Sequence, residues 1–273
     1  MEKLNVNYIA LLITSICNMR CKLCSFAVPY LQSHFHYDKD IICEDLQTAL
    51  NLCGSVKHVD LMGGEPLLHP AISDIVKKIA TFDNKPAQIR ILTNGAVVPD
   101  DTLLKTISII MASGTDFLFY LDNYGSISTK TDDIKNKLTV AQIPYREVVY
   151  YGDEQFSNGW VDYRFDEAIP TQKSQTNQEI QQVYDECFFS TADMWELNNG
   201  KLFPCAYTVT SDALGRKCSE YGEYLDLRDS TLSISEKRKI LHNWTTRKEY
   251  YSACRYCGGL RRNSPRYIAA EQV

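Results

Sequence analysis

The sequence lacks several features that mark other protein classes. No apolar run in its 273 residues approaches the ~20 residues of a transmembrane helix, so we expect no membrane partner. The apolar stretch that follows Met1–Lys3 has neither a basic region before it nor a small-residue cleavage site after it, which argues against a secretory signal. Positive charge is in deficit, with 29 Lys and Arg against 34 Asp and Glu, so we expect no nucleic-acid partner.

Cysteine is too scarce for a disulfide scaffold and too common to ignore. Ten cysteines in 273 residues make up 10/273, or 3.7%, against roughly 8–10% in disulfide-rich chains. We expect a cytoplasmic protein, where disulfides are rare. Metal ligation, redox chemistry or core packing then explains the cysteines better. The 44% hydrophobic and 23% charged residues are typical of a soluble globular protein, and the length fits about two domains.

The first part of the chain alternates strand-like and helix-like patterns. Repeated strand–helix units predict a parallel sheet covered by helices, and five or six units fit an open barrel better than a closed one. We therefore predict an α/β fold with a partial (β/α)6 TIM-like barrel over residues 1–170. Helical stripes lie at Ile42–Cys53, Ile72–Ala80 and Leu103–Met111, the last with Asp100 as its predicted N-cap. The predicted strands are Tyr8–Ile16, Val56–Met62, Gln88–Leu92, Asp116–Leu121, Tyr145–Tyr151 and Val161–Phe165.

A polar stretch, Thr171–Gln178, marks the predicted boundary to a second, smaller α+β domain over residues 171–273. In that domain, Met194–Leu197 and Lys201–Pro204 flank Asn198-Asn199-Gly200. Asn-Gly supplies the positive φ angles of a tight turn, so this segment predicts a β-hairpin.

Three cysteines follow the first predicted strand with the spacing C-x3-C-x2-C, at Cys17, Cys21 and Cys24. They lie in a segment of some twenty residues, from Cys17 to Asp38, and structureless loops of that length are usually functional. Three thiolates leave one coordination position open, which suits a catalytic metal centre. From the spacing alone, a zinc site completed by a distant residue such as Cys43 remains an alternative.

The end of the second strand adds a glycine-rich motif, Gly63-Gly64-Glu65-Pro66. Glycines permit a close approach of backbone to ligand, and a carboxylate can accept hydrogen bonds from an ammonium group. Together with the three cysteines, this motif resembles the radical S-adenosylmethionine (radical SAM) superfamily. The resemblance implies that Cys17, Cys21 and Cys24 bind a [4Fe–4S] cluster whose fourth iron takes SAM. It also implies a SAM site formed by Gly63, Gly64, Glu65, Thr93, Asn94, Asp122 and Asn123.

Four of the later cysteines form a second pattern. Cys187 and Cys205 bracket the predicted hairpin, and Cys254 and Cys257 form C-x2-C. Spacing alone fits closed zinc and a four-cysteine cluster equally well. The pattern resembles the SPASM/twitch extension of radical SAM enzymes in its shorter, one-cluster form. That resemblance implies a second [4Fe–4S] cluster on these four cysteines, with Cys218 as an alternative ligand.

Charge is uneven along the chain. Residues 237–266 contain nine Lys and Arg and one acidic residue, Glu249, which fits either a solvated basic face or an anion site.

The resemblance leads to a functional hypothesis. We expect reductive cleavage of SAM to a 5′-deoxyadenosyl radical, hydrogen abstraction from a small polar substrate, and a two-electron oxidation with the second cluster as electron acceptor. The substrate would be a sugar, an aminocyclitol or a nucleotide-linked metabolite, and the reductant flavodoxin or ferredoxin. The first strand begins early, so we expect no leader-peptide-binding domain. Alternatives are a peptide-modifying enzyme and a non-enzymatic iron–sulfur or zinc protein. Catalytic candidates are Asp122, Tyr151 and Asp153.

Overall fold

One eight-stranded sheet organises the chain in the computed structural model, which describes residues 4–154, 160–163, 165, 175–215 and 223–273. The strand order is β5-β4-β3-β2-β1-β6-β7-β8. Strands β1 to β6 pair in parallel, and β7 and β8 continue the sheet antiparallel. The strands are β1 Asn5–Thr14, β2 Ser55–Gly63, β3 Gln88–Thr93, β4 Asp116–Asn123, β5 Tyr145–Val149, β6 Met194–Asn198, β7 Lys201–Phe203 and β8 Leu225–Asp226.

Helices alternate with the first strands, as the periodicity predicts. The predicted N-cap is confirmed, because the Asp100 side chain accepts a hydrogen bond from the Leu103 backbone N–H. No helix in the described part of the chain has the length and apolar character needed to cross a bilayer. The helices are α1 Lys39–Leu52, α2 Ile72–Ala80, α3 Asp101–Ala112, α4 Thr131–Val140, α5 Asn177–Asp185, α6 Phe188–Thr191, α7 Ala206–Ala213 and α8 Ile234–Thr245.

The main core lies between the helices and one face of the sheet. Alternate strand residues such as Ile9, Leu11 and Phe119 are fully buried there, together with the apolar stripes of α1, α2 and α3. Cys53 also belongs to this core, as the sequence indicates, and its thiol donates to the Ala49 carbonyl. Each large apolar side chain buried in this way contributes about 1.5–3 kcal/mol, so this face fixes the register of the strands.

The sixth parallel strand is not where the sequence predicts it. Residues 161–163 contain no strand, and the sixth parallel strand is β6, which pairs with the free edge of β1. Val161, Tyr163 and Phe165 instead pack with Tyr207 in a second apolar cluster. The alternation of apolar residues that suggested a strand therefore serves side-chain packing, which does not require a strand partner.

The predicted hairpin is confirmed. Strands β6 and β7 pair antiparallel, and both turn residues have positive φ, 46° at Asn199 and 78° at Gly200. The hairpin continues the sheet of β1 to β5. The predicted boundary near residue 170 lies outside the described residues, as does Cys218, so the division into two domains stays a prediction.

Charged side chains occupy the opposite face of the sheet. Ala10 pairs with Asp60 on β2 and with Glu196 on β6, so only a small side chain separates the two carboxyl groups. Arg90 donates two hydrogen bonds to Asp60, at 2.6 and 2.5 Å. One carboxyl oxygen of Glu196, Oε2, is buried without a hydrogen-bond partner. Burial first, and then the Asp60 charge, raise the pKa of Glu196 to about 8.

Replacing Glu196 by glutamine is expected to change how stability depends on pH. The pKa of Glu196 rises from 4.5 to about 8 on folding, so its contribution to stability is full below 4.5 and is lost as pH rises through about 8. Glu196→Gln removes this ionisation. Urea unfolding at several pH values should show a flatter profile, with the variant more stable than wild type above about pH 8 by about 1–3 kcal/mol. The exposed Glu44→Gln is the control; equal slopes for wild type and Glu196→Gln would contradict the prediction.

Candidate functional site

The loop with the first three cysteines begins and ends beside the last residues of β1. The Ser15 backbone N–H donates to the Phe35 carbonyl at 3.0 Å, and the Tyr37 N–H donates to the Ile13 carbonyl at 3.1 Å. The Ser15 hydroxyl accepts from the Phe35 N–H at 2.9 Å. These hydrogen bonds hold the two ends of the loop together beside β1. Cys17, Cys21 and Cys24 therefore stand over the carboxyl end of the sheet, where they line a cavity of about 260 Å³.

Gly63 and Gly64 support the start of this loop through backbone contacts. The Gly64 N–H donates to the Thr14 carbonyl at 2.8 Å, and the Glu65 N–H donates to the Ile16 carbonyl at 2.9 Å. Gly63 has φ 127°, which L side chains rarely adopt, and a Cβ there would collide with the Thr14 carbonyl oxygen. A Cβ on Gly64 would lie 2.6 Å from the Ile16 carbonyl carbon. Both glycines also line the cavity, so the same two residues contact the start of the cysteine loop and form part of the cavity wall.

Glu65 is fully buried and holds two loops together. One carboxylate oxygen accepts from the Leu67 N–H at 3.0 Å, and the other accepts from the Asn94 N–H at 2.8 Å. Burial raises the pKa of Glu65 to about 7, against the opposing effect of these hydrogen bonds. Through the second of these hydrogen bonds, Glu65 fixes the position of Asn94, which lines the cavity.

Thr93 and Asn94 line the cavity at the end of β3. The Asn94 side-chain amide donates to the Asn18 side chain at 2.8 Å and lies 3.7 Å from the Cys17 sulfur. The predicted site residues of β2 and β3 therefore meet the cysteine loop directly.

The two residues predicted at the end of β4 point to opposite sides. Asp122 lines the cavity, whereas Asn123 does not. The Asn123 amide donates to Glu147 at 2.6 Å, and its oxygen accepts from the Gly125 N–H at 2.9 Å. Successive strand residues face opposite sides, so only one of two neighbours can reach the cavity. Asn123 therefore does not line the cavity, and its role as a SAM contact stays a prediction.

Tyr151 and Asp153 lie away from the cavity. Tyr151 is 48% exposed and packs against Gly125, and Asp153 is exposed in a short 3-10 turn. Four aromatic side chains that the sequence did not single out line the cavity instead, those of Phe26, Tyr124, Tyr150 and Trp160. The alternation of β5, extended by one residue past Val149, is the signal that could have distinguished Tyr150 from Tyr151.

Asp122 and two tyrosines form a hydrogen-bonded group in the cavity wall. The Tyr124 hydroxyl donates to Asp122 Oδ2 at 3.4 Å, and the Tyr150 hydroxyl also hydrogen-bonds this carboxylate. The rings of Tyr124 and Tyr150 lie 5.1 Å apart, and Trp160 meets Tyr124 edge-on at 5.6 Å. Burial raises the pKa of Asp122 to about 7, although the tyrosine hydrogen bonds oppose this rise. A carboxyl group with this pKa can accept or release a proton near neutral pH.

The three thiols of the loop are free of disulfides; Cys21 is buried, and Cys17 and Cys24 are partly buried. Burial raises the pKa of Cys17 to about 11 and that of Cys21 to about 12, and it also raises the pKa of Cys24. Thiols of this kind must lose their protons to ligate a metal, so metal binding releases protons. Among the described residues, no three His, Cys, Asp or Glu side chains are arranged to hold a single metal ion.

The later cysteines also come together. Cys187, Cys205, Cys254 and Cys257 line one small cavity of about 30 Å³, surrounded by tyrosine rings. Cys187 and Cys205 are the N-caps of α6 and α7, and Cys254 lies in the short helix Ser252–Arg255. The four thiols are close enough to influence one another, since the other three each help to raise the pKa of Cys254, after burial. The Gly259 N–H also donates to the Cys257 sulfur at 3.3 Å.

Several basic residues of the 237–266 stretch bind backbone carbonyls. Lys237 donates to the Leu227 carbonyl at 2.8 Å, and Arg238 donates to the carbonyls of Asn51 and Leu52. Arg247 donates to two nearby carbonyls and lies over the Tyr251 ring at 4.5 Å. For these three residues, the structure favours a packing role over an open anion site.

Part of the chain is similar in sequence to known proteins. Residues 11–120 match the family model described as the Radical SAM superfamily. A GTP 3′,8-cyclase of Helicobacter pylori is 30% identical over 92 residues, which are 33% of this chain and 28% of the relative. A GTP 3′,8-cyclase of Alkaliphilus metalliredigens is 26% identical over 187 residues, which are 61% of this chain and 57% of the relative. The matches therefore span only part of these curated relatives.

Two solved structures share the fold over nearly the whole chain. The structure of BtrN in complex with AdoMet and 2-DOIA superposes with a TM-score of 0.54 at 14% identity and covers 98% of each chain. Native anSMEcpe with bound AdoMet gives a TM-score of 0.55 at 13% identity and covers 97% of this chain and 93% of its own. At these identities the likeness establishes the fold alone.

Proposed function

We propose that this chain, whose residues 11–120 match the Radical SAM superfamily model, is a radical SAM enzyme that oxidises a small polar substrate. The observation that carries this proposal is the shared cavity. Cys17, Cys21 and Cys24 line it together with Gly63, Gly64, Thr93, Asn94 and Asp122, all at the carboxyl ends of β1 to β4. Sites in folds of this kind form at the carboxyl ends of the strands.

The donor set fits a [4Fe–4S] cluster with one open position. Three thiols of one loop supply three ligands, and none of them is tied up in a disulfide. When bound, the cluster and SAM supply a 5′-deoxyadenosyl radical that abstracts hydrogen from an unactivated carbon. Gly63 and Gly64 form part of the cavity wall, where glycine allows a ligand to approach the protein backbone closely. The aromatic rings around Asp122 exclude water from the reacting carbon.

Cys187, Cys205, Cys254 and Cys257 are the proposed ligands of a second [4Fe–4S] cluster. Four protein thiolates close its coordination, so we assign it to electron transfer and not to substrate binding. A cluster held by these four cysteines would supply an acceptor for the electron left on the substrate after hydrogen abstraction. The proposal includes a twitch-type C-terminal domain, a cytoplasmic location and a flavodoxin or ferredoxin as reductant.

The cavity favours a small substrate. Its volume of about 260 Å³ lies below the ≈ 300–1,000 Å³ of typical ligand pockets, and the cluster and SAM would share it with the substrate. The solved BtrN structure holds 2-DOIA beside AdoMet, whereas a solved anSMEcpe structure holds a peptide. We therefore propose a sugar, aminocyclitol or nucleotide-linked substrate, with peptide substrates as the competing class.

The experiment that tests the proposal combines the reconstituted, reduced protein with SAM in the absence of oxygen. We expect 5′-deoxyadenosine, measured by mass spectrometry, and deuterium in this product when a deuterated substrate is supplied. Candidate substrates are deuterated aminocyclitols, sugars and nucleotides, with deuterated peptides as the comparison set. A protein with full iron content that forms no 5′-deoxyadenosine with any candidate would contradict the proposal.

Asp122 is the proposed general base for the oxidation. Conversion of an alcohol to a ketone requires loss of the hydroxyl proton, and only the ionised carboxylate can accept it. The pKa of about 7 predicts that turnover rises with pH through neutrality. Asp122→Asn should lower the rate of product formation by about 10²-fold or more and remove this pH dependence. Asp116→Asn, at the exposed start of the same strand, keeps Asp122 and serves as the control. A variant with the wild-type pH profile would exclude Asp122 as the base.

Loss of the second cysteine set should halve the iron content. Two [4Fe–4S] clusters contain about eight iron atoms per chain, so Cys254→Ala should leave about four. SAM cleavage should persist, because the first cavity is untouched, while oxidised product falls. Cys218→Ala should retain about eight iron atoms, since four other cysteines already line the second cavity. Full iron in Cys254→Ala, or stoichiometric zinc in the anaerobically purified protein, would contradict this assignment.

A further inference from the structure

The segment 267–273 lies directly across the loop that carries the first three cysteines. The Lys22 N–H donates to the Glu271 carbonyl at 2.7 Å, and the Val273 N–H donates to the Arg20 carbonyl at 2.9 Å. Cys21 and Gln272 form an antiparallel bridge between these bonds. A segment some 250 residues away in the chain is thus paired with the middle of the C-x3-C-x2-C loop.

Apolar packing reinforces this pairing. Ala270 is fully buried against Met19 and Cys21 in a separate cluster, with Tyr124 and Trp160 at its margin. The Tyr267 N–H donates to the Trp160 carbonyl at 3.0 Å. The segment therefore joins the cysteine loop to an aromatic wall of the cavity.

The Gln272 side chain reaches the ligating atom itself. Its oxygen accepts from the Arg20 backbone N–H at 2.7 Å, which fixes the orientation of the amide, because a backbone N–H can only donate. The amide nitrogen is then turned toward the Ala270 carbonyl at 2.6 Å and the Cys21 sulfur at 3.3 Å. The other two hydrogen bonds of the Gln272 amide therefore hold its nitrogen in place to donate to the Cys21 sulfur.

The contacts of the other two loop sulfurs have different origins. The Cys17 sulfur accepts from the Met19 N–H at 3.4 Å, within the loop, and lies 3.7 Å from the Asn94 amide. Backbone N–H groups from Phe26 to Val28 approach Cys24. Among the described residues, Cys21 alone receives its side-chain hydrogen bond from the 267–273 segment.

Hydrogen bonds to ligand sulfurs are one of the factors that set the potential of an iron–sulfur cluster. Reduction adds negative charge, which an N–H donor stabilises, so a donor raises the reduction potential. We infer that Gln272 is a positioning residue that holds the cysteine loop and raises the reduction potential of the first cluster through the Cys21 sulfur. This inference rests on the proposed function, since it requires a cluster on Cys17, Cys21 and Cys24.

Three variants test the inference. Gln272→Met removes the donor without adding charge, and Gln272→Glu removes the donor but keeps an oxygen for the Arg20 N–H. Glu271→Gln is the matched control, because it changes charge at the adjacent residue while the Glu271 backbone carbonyl still accepts from Lys22. The midpoint potential of the cluster whose electron paramagnetic resonance signal changes on adding SAM is measured by redox titration.

We expect a lower midpoint potential in Gln272→Met and Gln272→Glu, and a smaller change of the opposite sign in Glu271→Gln, which loses a negative charge. If Gln272→Met fails to retain iron, Gln272→Glu decides, because it keeps the acceptor that anchors the side chain. Its decrease must then exceed the effect of a single charge, which Glu271→Gln measures. A wild-type potential in a fully loaded Gln272 variant overturns the inference and leaves the proposed function intact. A wild-type protein without any SAM-responsive cluster overturns both.

Discussion

Replacing Cys17, Cys21 or Cys24 by alanine is expected to abolish the formation of 5′-deoxyadenosine from SAM. The three thiols line one cavity on a single closed loop, and no other cysteine or histidine of the described residues lines that cavity. Loss of one thiolate opens a second coordination position and destabilises the cluster. The measurement is 5′-deoxyadenosine by mass spectrometry, together with iron content, which should fall from about eight to about four atoms per chain.

Cys43→Ala is the matched control for these variants. Cys43 is 2% exposed and lies on α1 in the main core, so its removal perturbs packing without touching the cavity. The variant should lose stability and keep both its iron and its SAM cleavage. Equal loss of iron in Cys43→Ala would instead support the alternative in which Cys43 completes the first metal site.

Substitution of Gly63 or Gly64 by alanine is expected to displace the cysteine loop and to remove most SAM cleavage. A Cβ at either position would collide with backbone atoms, the Thr14 carbonyl for Gly63 and the Ile16 carbonyl for Gly64. Backbone atoms cannot move aside as a flexible side chain can, so the chain that leads into Cys17 must shift. Displacement of a site's supporting residues by about 1 Å can cost 10²-fold in rate. The measurements are SAM affinity, the rate of 5′-deoxyadenosine formation and the free energy of unfolding.

Gly114→Ala is the control that distinguishes the effect of a steric collision from the effect of backbone strain. Gly114 also has positive φ, 87°, but a Cβ there would meet no atom within 4 Å. It should therefore cost about 1 kcal/mol in stability and leave SAM cleavage unchanged. If Gly63→Ala and Gly64→Ala behave like Gly114→Ala, the close approach of the two loops is not required for activity.

The local sequence predicts the elements well where one physical signal dominates. Strands β1 to β4 and helices α1 to α3 follow from hydrophobic periodicity, because each element buries one face against the same core. Asn199 and Gly200 specify their turn through backbone conformation alone. The spacing of Cys17, Cys21 and Cys24 is equally local, since all three belong to one loop at the end of one strand.

The orientation of single residues in the site required the sheet itself. Asp122 and Asn123 are equivalent by position in the sequence, yet the pleat of β4 sends one into the cavity and the other toward Glu147. The same alternation of side chains, continued past the end of β5, places Tyr150 and not Tyr151 in the cavity wall. A shift of one residue reverses such an assignment, and a strand end predicted from composition is rarely that precise.

The sequence by itself determined the alternation of strands and helices, the hairpin turn and the cysteine motif, because each depends on neighbours within a few residues. The tertiary structure decided what distant segments do. It pairs β6 with β1, brings Tyr124, Tyr150 and Trp160 into the wall of the cavity, and places Gln272 against Cys21. These contacts form because distant segments cover the apolar faces that remain exposed once the sheet has formed. A pattern of neighbouring residues does not specify which segment covers which face.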